Sequence, residues 1–404
     1  MKILNVLAQL PMKTGSGVYF SNLVEETTAQ GHENILVYGV QSPYTVELPG
    51  KHYPVRFNQP KLSFPIAGMS DVMPYPSTVY SEMTPEMIEQ ELQAFKNQLE
   101  QVKKTEAIDI VVTHHLFFLT ALVREIFTDV PVVAFCHGTD LRQIERYPRF
   151  KDRLASLHDL DLVLTVSPNE TAKIAQWFDY PTTKIKLVGG GFNQKLFNLH
   201  YDPPKSSPLK VMYAGKISHA KGVYELAATY PLVKAVLPEV EYHLIGHADE
   251  TEQEILRKNA QHSTGFHLYD AVDQPTMAQY LQRAHVFVLP SYYEALGLSA
   301  IEAMAMGKYC VTSEIEGLRR ELGDKVNQSG LIRYTKLPRI YDLDHPVPED
   351  IPSYVERLTQ DIIIQLEKVQ RHETVSDDVF AAIDQKSWQQ LAKRIEGELT
   401  ALLK

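Results

Sequence analysis

The stretch that decides the fold is Ser291-Tyr-Tyr-Glu-Ala-Leu-Gly-Leu-Ser-Ala-Ile-Glu-Ala-Met-Ala-Met-Gly307, which carries the carboxylates Glu294 and Glu302. The apolar run 285–290 precedes it and ends in a proline, which predicts a buried parallel strand. Residues 298–306 favour a helix, and Gly307 stands where glycine commonly ends one. The apolar run 309–312 completes a β-α-β unit. Such units bind ligands beyond the carboxyl ends of their strands, where a helix N-terminus offers free N–H groups to an anion.

The composition indicates a soluble protein of two domains. At 404 residues the chain exceeds the usual size of one hydrophobic core. A net charge of −10 argues against a nucleic-acid partner held by a basic surface. Cys136 and Cys310 lie in apolar runs, which predicts buried, reduced thiols. No apolar run is long enough to span a bilayer, and residues 1–8 predict a strand rather than a signal peptide, so we expect a cytoplasmic protein.

The first half of the chain alternates strands and helices, which predicts a doubly wound parallel sheet. Its first strand leads through a loop with Gly15 and Gly17 into a helical pattern that starts at Val18. The segment 41–83 is rich in proline and aromatic residues without periodicity, and it is predicted to be a long functional or mobile loop. The predicted strands are 2–8, 35–39, 108–113, 130–136, 160–166 and 184–188.

The alternation restarts after a polar, proline-rich linker at 201–208. The expected domains are 1–200 and 209–385, with a terminal helix in 386–404 that packs back on the first domain. Beyond Gly330 the pattern weakens. The predicted strands of the second half are 209–215, 242–246, 265–268, 285–290 and 309–312.

A glycine-lysine cluster follows the first strand of the second domain. Gly215, Lys216 and Lys221 lie between that strand and the next helix. Two ammonium groups beside a helix N-terminus suit a diphosphate, although a solvated basic turn is an equally good reading of the cluster alone. Glutamates are usually exposed on helices, but Glu302 is flanked by apolar residues, which leaves only a narrow solvated face.

The glutamate stretch, together with the glycine-lysine cluster, resembles the signature of retaining glycosyltransferases of the glycogen-synthase-like family four. That family has the GT-B fold, in which two Rossmann-like doubly wound α/β domains face an interdomain cleft. The resemblance implies an N-terminal acceptor domain and a C-terminal donor domain. This sequence departs from the family's pattern at three positions. They are Lys216, where arginine is usual, Tyr309, where proline is common, and Ala295, where an aromatic residue is frequent.

The resemblance also implies roles for single residues of the second domain. Glu302 would accept hydrogen bonds from the nucleotide ribose, and Glu294 would hold hydroxyls of the donor sugar. Lys216 and Lys221 would neutralise the leaving diphosphate. The remaining donor contacts implied there are Gly215, Tyr269, Val272, Ala295, Leu296, Gly297 and Leu298.

The first domain would add His137, at a strand end close to the donor sugar, and the loop glycines Gly15 and Gly17, close to the diphosphate and acceptor. A lone histidine is more often structural, but His137 ends an apolar strand and begins a Gly-Thr-Asp loop, which favours function. No metal cluster is visible in the spacing, and neither a metal nor a cofactor is expected.

The expected reaction moves a hexose from a nucleoside-diphosphate sugar, with a UDP-sugar favoured, to a hydroxyl of a sugar, lipid or small-molecule acceptor. A lipid acceptor would involve peripheral membrane contact. The segment 41–83 is either the acceptor-binding element or an insertion that only packs on its domain. Two alternatives stay open: a catalytically silent nucleotide-sugar-binding partner, and another GT-B-like enzyme such as an epimerase or a phosphorylase. The sequence indicates no oligomeric state.

Overall fold

The computed structural model describes residues 1–10, 14–70, 73–199, 208–294, 296–342 and 344–404. The chain divides into two compact units, one of Met1–Gly190 with Leu391–Lys404 and the other of Gly191–Gln390. The division falls at Gly190, earlier than the predicted end of the first domain at residue 200. Most of the predicted linker lies outside the described residues.

The first unit is built on a parallel sheet of seven strands. Its strands, with a separate pair formed by β4 and β5, are β1 (Lys2–Leu7), β2 (Glu33–Gln41), β3 (Lys51–Phe57), β4 (Ala67–Gly68), β5 (Thr78–Val79), β6 (Ile110–His114), β7 (Val132–Cys136), β8 (Leu162–Thr165) and β9 (Ile185–Leu187). The order in the sheet is β3-β2-β1-β6-β7-β8-β9, so the direction of winding reverses between β1 and β6. That point is where doubly wound sheets bind their ligands.

Helices cover this sheet because each presents one apolar face to it. They are α1 (Gly15–Ala29), α2 (Pro85–Thr105), α3 (Phe118–Ile126), α4 (Thr139–Arg146) and α5 (Thr171–Phe178). The hydroxyl of Thr14 caps α1 by accepting the N–H of Gly17 at 3.0 Å. The helix therefore begins at Gly15 and not at Val18, and both predicted loop glycines lie in its first turn.

The segment 41–83, predicted to be a long loop, contains regular structure. Strand β3 lies inside it and pairs in parallel with β2, with Pro54 opposite Tyr38. The proline made this strand hard to predict from the sequence. Because β3 lies at the edge of the sheet, the N–H that proline lacks is not needed for a hydrogen bond on the outer side. The aromatic side chains that follow are buried in the core of the first unit, including Phe64 and Tyr75. The packed-insertion reading of this segment is therefore favoured over a free acceptor loop.

The second unit contains a six-stranded parallel sheet. Its strands and the following hairpin are β10 (Lys210–Ala214), β11 (Glu241–Ile245), β12 (Phe266–Tyr269), β13 (Val286–Leu289), β14 (Tyr309–Ser313), β15 (Ile332–Thr335), β16 (Ile340–Asp342) and β17 (His345–Pro346). The order β12-β11-β10-β13-β14-β15 is the Rossmann order, and winding reverses between β10 and β13.

The helices of the second unit surround one apolar core. They are α6 (Val223–Val236), α7 (Glu250–Asn259), α8 (Gln274–Arg283), α9 (Leu298–Ala305), α10 (Glu316–Asn327), α11 (Ile351–Gln370) and α12 (Asp377–Asp384). The last helix, α13 (Trp388–Ala401), begins in this unit, and from Leu391 onward the chain belongs to the first unit. Among the described residues, no helix combines the length and apolar character needed to cross a membrane.

Candidate functional site

Two loops lie at the reversal point of the second sheet, one after β10 and one after β13. They are tied together because the N–H of Tyr292 donates to the carbonyl of Ala220 at 2.9 Å. Gly222 has a φ of +60°, and a Cβ at this position would lie 2.1 Å from the carbonyl oxygen of Pro290. Only glycine fits such an approach, so the sequence holds the two loops in contact.

An ion pair joins these two loops. The Nζ of Lys221 donates to Oε1 of Glu294 at 2.7 Å, and the two side chains are 26% and 24% exposed. The structure thus brings together two predicted site residues that are distant in the sequence. Both charges keep access to solvent, so a ligand that carries a diphosphate or a hydroxyl could compete for either one.

Lys216 is exposed near the start of the same loop, and it has no ion pair with a described residue. Its backbone carbonyl accepts the hydroxyl of Tyr213 at 2.8 Å, which fixes the backbone but leaves the ammonium free to reach a ligand. An unpaired ammonium at a strand's carboxyl end adds positive potential at this edge.

Helix α9 begins at the same edge of the sheet and carries Glu302 in its second turn. The helix starts after Gly297, which has a φ of +66°, and its last residue is Ala305, two residues before Gly307, which has a φ of +73°. The N–H of Lys308 donates to the carbonyl of Ala303 at 3.0 Å, and the N–H of Gly307 donates to the carbonyl of Met304 at 2.9 Å. These two hydrogen bonds form the Schellman motif, which commonly ends a helix at a glycine. The predicted role of Gly307 as a helix end is thus found in the structure.

Burial raises the pKa of the Glu302 carboxyl to about 8. Glu302 is partly buried, and no described residue forms a hydrogen bond with its carboxyl, so a ligand that donates to this carboxyl would stabilise its ionised form. Leu298 is the first residue of the same helix, Leu296 is buried beside it, and Ala295 lies outside the described residues.

The other predicted donor contacts of the second unit lie along the same carboxyl edge. The N–H of Gly215 donates to the carbonyl of Ile245 at 3.0 Å, and that of Gly246 donates to the carbonyl of Tyr269 at 3.0 Å. A Cβ at Gly246 would lie 2.1 Å from the carbonyl oxygen of Gly215, so these loops also pack backbone against backbone. Val272 packs partly buried against the core.

A pocket of about 740 Å³ in the second unit lies elsewhere, at the amino ends of the strands. It is lined by Leu209, His285 and Lys308 among others, and none of its lining residues is a predicted site residue. Ligands of doubly wound sheets bind at the opposite, carboxyl ends. This pocket is therefore not the candidate site.

The first unit presents histidines at its corresponding edge. Nδ1 of His114, the last residue of β6, lies 2.9 Å from Nε2 of His137, the residue after β7, so one ring nitrogen donates and the other accepts. The two rings stack with their centroids 5.2 Å apart, and the ring of Tyr19 in α1 makes a T-shaped contact with each of them. Burial lowers the pKa of His137 to about 3 and holds that of His114 well below its usual value. These imidazoles are neutral hydrogen-bonding groups.

His115 adds a strained position to this edge. Its φ is +72°, its ring is buried, and neither ring nitrogen has a hydrogen-bond partner among the described residues. Burial lowers its pKa to about 3. Strain and unpaired buried polar atoms cluster at functional sites. His114 and His115 were not predicted from the sequence, although two histidines directly after an apolar strand are a signal that could have indicated them.

A buried carboxylate shapes the loop that carries His137. Asp140 accepts the N–H groups of Leu116 and His137 at 2.8 and 3.4 Å, so it ties the ends of β6 and β7 together. Beside it, burial raises the pKa of Glu170 to about 8, and a Cβ at Gly138 would lie 2.6 Å from Oε1 of this carboxyl. The loop after β7 therefore has little freedom to move.

Comparison with known proteins shows the family of this chain. Residues 208–336 match the family model "Glycosyl transferases group 1", and residues 13–195 match "Glycosyltransferase Family 4". The glycogen synthase of Mycobacterium tuberculosis is 28% identical over 228 residues, which cover 52% of this chain and 53% of that protein. The chain thus spans about half the length of the curated relative it matches.

Solved structures share the whole fold at low sequence identity. The sucrose-phosphate synthase of Thermosynechococcus elongatus superposes with a TM-score of 0.65 at 19% identity, covering 100% of this chain and 99% of that one. Anabaena HepE, in complex with UDP and glucose, superposes with a TM-score of 0.63 at 15% identity over 99% of this chain and 100% of that one. With two α/β units on parallel sheets, and with family models matching both halves, the chain belongs to the GT-B glycosyltransferases of the group 1 and family 4 type.

Proposed function

We propose that the protein is a glycosyltransferase that moves a hexose from a nucleoside-diphosphate sugar, with UDP the favoured nucleotide, to a hydroxyl acceptor with retention of anomeric configuration. The observation that carries the proposal is the Lys221–Glu294 pair at the reversal point of the second sheet. A cation for a phosphate and a carboxylate for sugar hydroxyls stand side by side there, as a nucleotide sugar requires.

To accelerate transfer, the side chains at the carboxyl edge of the second sheet must stabilise the charges that develop as the donor bond breaks. As the bond between the anomeric carbon and the phosphate oxygen breaks, positive charge develops on the sugar and negative charge on the diphosphate. Lys221 and Lys216 act on the diphosphate. Glu294 holds sugar hydroxyls and lies close to the developing positive charge.

Glu302 holds the nucleotide in this proposal. Its carboxyl has no hydrogen-bond partner among the described residues and has a raised pKa, so two ribose hydroxyls that donate to it would stabilise the ionised form. The base would lie near Tyr269 and Val272, where the backbone ends β12.

Retention follows if the acceptor attacks from the face that the diphosphate leaves. The acceptor oxygen then forms the new bond to the anomeric carbon, and its proton passes to the departing phosphate oxygen, so no separate base is needed. The assignment of His137 to the donor sugar, and the predicted cleft between the domains, stay predictions.

The test is a mass-spectrometric screen of the full chain against UDP-, GDP- and ADP-hexoses, with a thermal-shift measurement for each nucleoside diphosphate. A nucleotide that raises the melting temperature and a matching donor that releases nucleoside diphosphate support the proposal. Binding without release, for every donor and for mixtures of sugar and lipid acceptors, would favour a silent binding partner. If no nucleotide binds, the proposal is wrong.

A further inference from the structure

A group of metal-ligand side chains lies on one face of the second sheet, away from the reversal point. Glu241 and His243 alternate along β11, and His267 lies on β12 as the direct partner of His243 in the strand register. One ligand atom from each of these residues lies within 4.8 Å of the other two. Sequence spacing does not show this group, because only the pairing of β11 with β12 brings His267 to the others.

We propose that Glu241, His243 and His267 bind a divalent transition metal of the zinc class. Two imidazoles and one carboxylate form a donor set that zinc accepts, with a fourth position left for water. Nothing in the proposed transfer reaction uses this group, so the inference stands independently of the proposed function.

The distances fit such an ion. Nε2 of His243 lies 3.2 Å from Oε2 of Glu241. Zinc bonds of about 2.0–2.1 Å in tetrahedral geometry place two ligand atoms about 3.3 Å apart, so this pair already has the separation of two corners of a tetrahedron. The rings of His243 and His267 lie 4.8 Å apart at 33°, and the three ligand atoms lie within 4.8 Å of one another, so the group must contract to close around an ion.

The second nitrogen of His243 is already held. Its Nδ1 lies 3.2 Å from the hydroxyl of Tyr269, and the two rings stack at 5.7 Å. Histidines that bind metals usually have their other ring nitrogen held by such a partner, which directs the free nitrogen at the ion. His243 is partly buried, with 14% of its side chain exposed, and burial is the main cause that lowers its pKa.

Lys210 is the competing cation at this face. Its Nζ lies 3.6 Å from Oε2 of Glu241, the same oxygen that approaches His243. A metal ion would take over this oxygen from Lys210. Removal of the lysine should therefore strengthen metal binding, whereas a face built only for ion pairing would gain nothing from it.

The test is calorimetric titration of zinc into the full chain after treatment with a chelator, with visible absorption of cobalt as a second probe. We expect one site, and we expect a tenfold or greater loss of affinity in each of His243→Ala and His267→Ala. Tyr269→Phe should lose about tenfold. Lys210→Met should bind more tightly than the natural chain.

His262→Ala is the matched control, because this exposed histidine also faces a glutamate, Glu254, at 3.8 Å, but has no third ligand within the described part of the chain. Its affinity should equal that of the natural chain. Melting curves without metal show whether each variant is folded, and His267→Gln serves if the alanine variant is not. Zinc affinity unchanged in both histidine variants, or lost in His137→Ala instead, would overturn the proposal.

Discussion

The two parallel sheets reverse their winding at the same kind of point, but the side chains at their carboxyl edges differ in kind. The second unit places charges there, the pair Lys221 and Glu294. The first unit places neutral imidazoles there, the buried His114 and the partly buried His137, which are hydrogen-bonded to each other. Fold topology fixes where a ligand can bind, and the loop residues decide which chemistry that place offers. We therefore expect charge recognition in the second unit and neutral polar contacts in the first.

The charged pair at the edge of the second sheet contributes little to the stability of the fold. A partly exposed pair such as Lys221–Glu294 contributes about 0–1 kcal/mol to the free energy of unfolding. Substitutions in it should leave the melting temperature close to that of the natural chain. Large losses of activity would then report on the site and not on the fold.

The largest expected effect is that of Glu294→Ala on transfer. Loss of a group that holds the sugar and faces the developing positive charge should lower the rate about 10²–10³-fold. Affinity for the nucleoside diphosphate should be kept or improved, because Lys221 then has no carboxylate competing for it. Rates with a donor and acceptor pair, together with calorimetric affinities, check both parts.

Asp129→Ala is the control for that variant. Lys103 and Asp129 form a pair of the same length, 2.7 Å, in the first unit next to the start of β7, at the amino edge of the sheet. Transfer by this variant should match the natural chain. Equal losses in Asp129→Ala and Glu294→Ala would show that the charged edge has no special role.

Lys221→Met should give the next largest effect. It removes the cation proposed for the diphosphate and leaves Glu294 unpaired beside it, so nucleoside-diphosphate affinity should fall about tenfold to a hundredfold. The affinity of the nucleoside without phosphates should change little. A similar loss for both ligands would argue that Lys221 holds the loop and not the phosphates.

The third prediction concerns pH and Glu302. Burial raises the pKa of this carboxyl to about 8 in the free protein. Ribose hydroxyls that donate to the ionised carboxylate lower this pKa in the complex, so binding releases a proton and affinity rises with pH until it levels off above about 8. Between pH 7 and pH 9 the nucleoside should bind about tenfold more tightly, and Glu302→Gln should remove this dependence. Affinity that falls as pH rises would mean that the protonated carboxyl donates to the ligand.

The smallest expected effect comes from the neutral edge. His114→Phe keeps the stack on Phe135, whose ring lies 4.9 Å from that of His114, but removes the hydrogen bond to His137. Loss of one such bond should lower the transfer rate by about two- to tenfold. His158→Phe, at an exposed histidine of the same unit, is the control. A larger loss than that of Glu294→Ala would reverse the proposed division between the two edges.

Much of the fold follows from the sequence, because buried parallel strands are apolar runs that alternate with helical patterns. The β-α-β unit from residue 285 to 313 appears where it was predicted, including the turn at Gly307. Strand β3 could not be predicted in this way, because Pro54 and its polar neighbours interrupt the apolar pattern of a strand. These residues are tolerated because β3 lies at the edge of the sheet.

Residues such as Lys221 and Glu294 were predicted individually from the sequence, but the contacts between the site residues were not. The contact between Lys221 and Glu294 depends on the close approach of Gly222 to Pro290, which no local pattern encodes. The pair His114–His137 and the group around His243 depend on the register between neighbouring strands. Contacts that require two strands to be aligned are those that a single sequence leaves open.

The central claim is that the charged edge of the second unit binds the diphosphate of a nucleotide sugar. Calorimetric titration of UDP, and then of GDP and ADP, into the natural chain and into Lys221→Met tests it most directly. The account predicts that at least one nucleoside diphosphate binds the natural chain with one site, and that its affinity falls at least tenfold in the variant. Absence of binding for all three nucleotides, or equal affinity in both proteins, would contradict it.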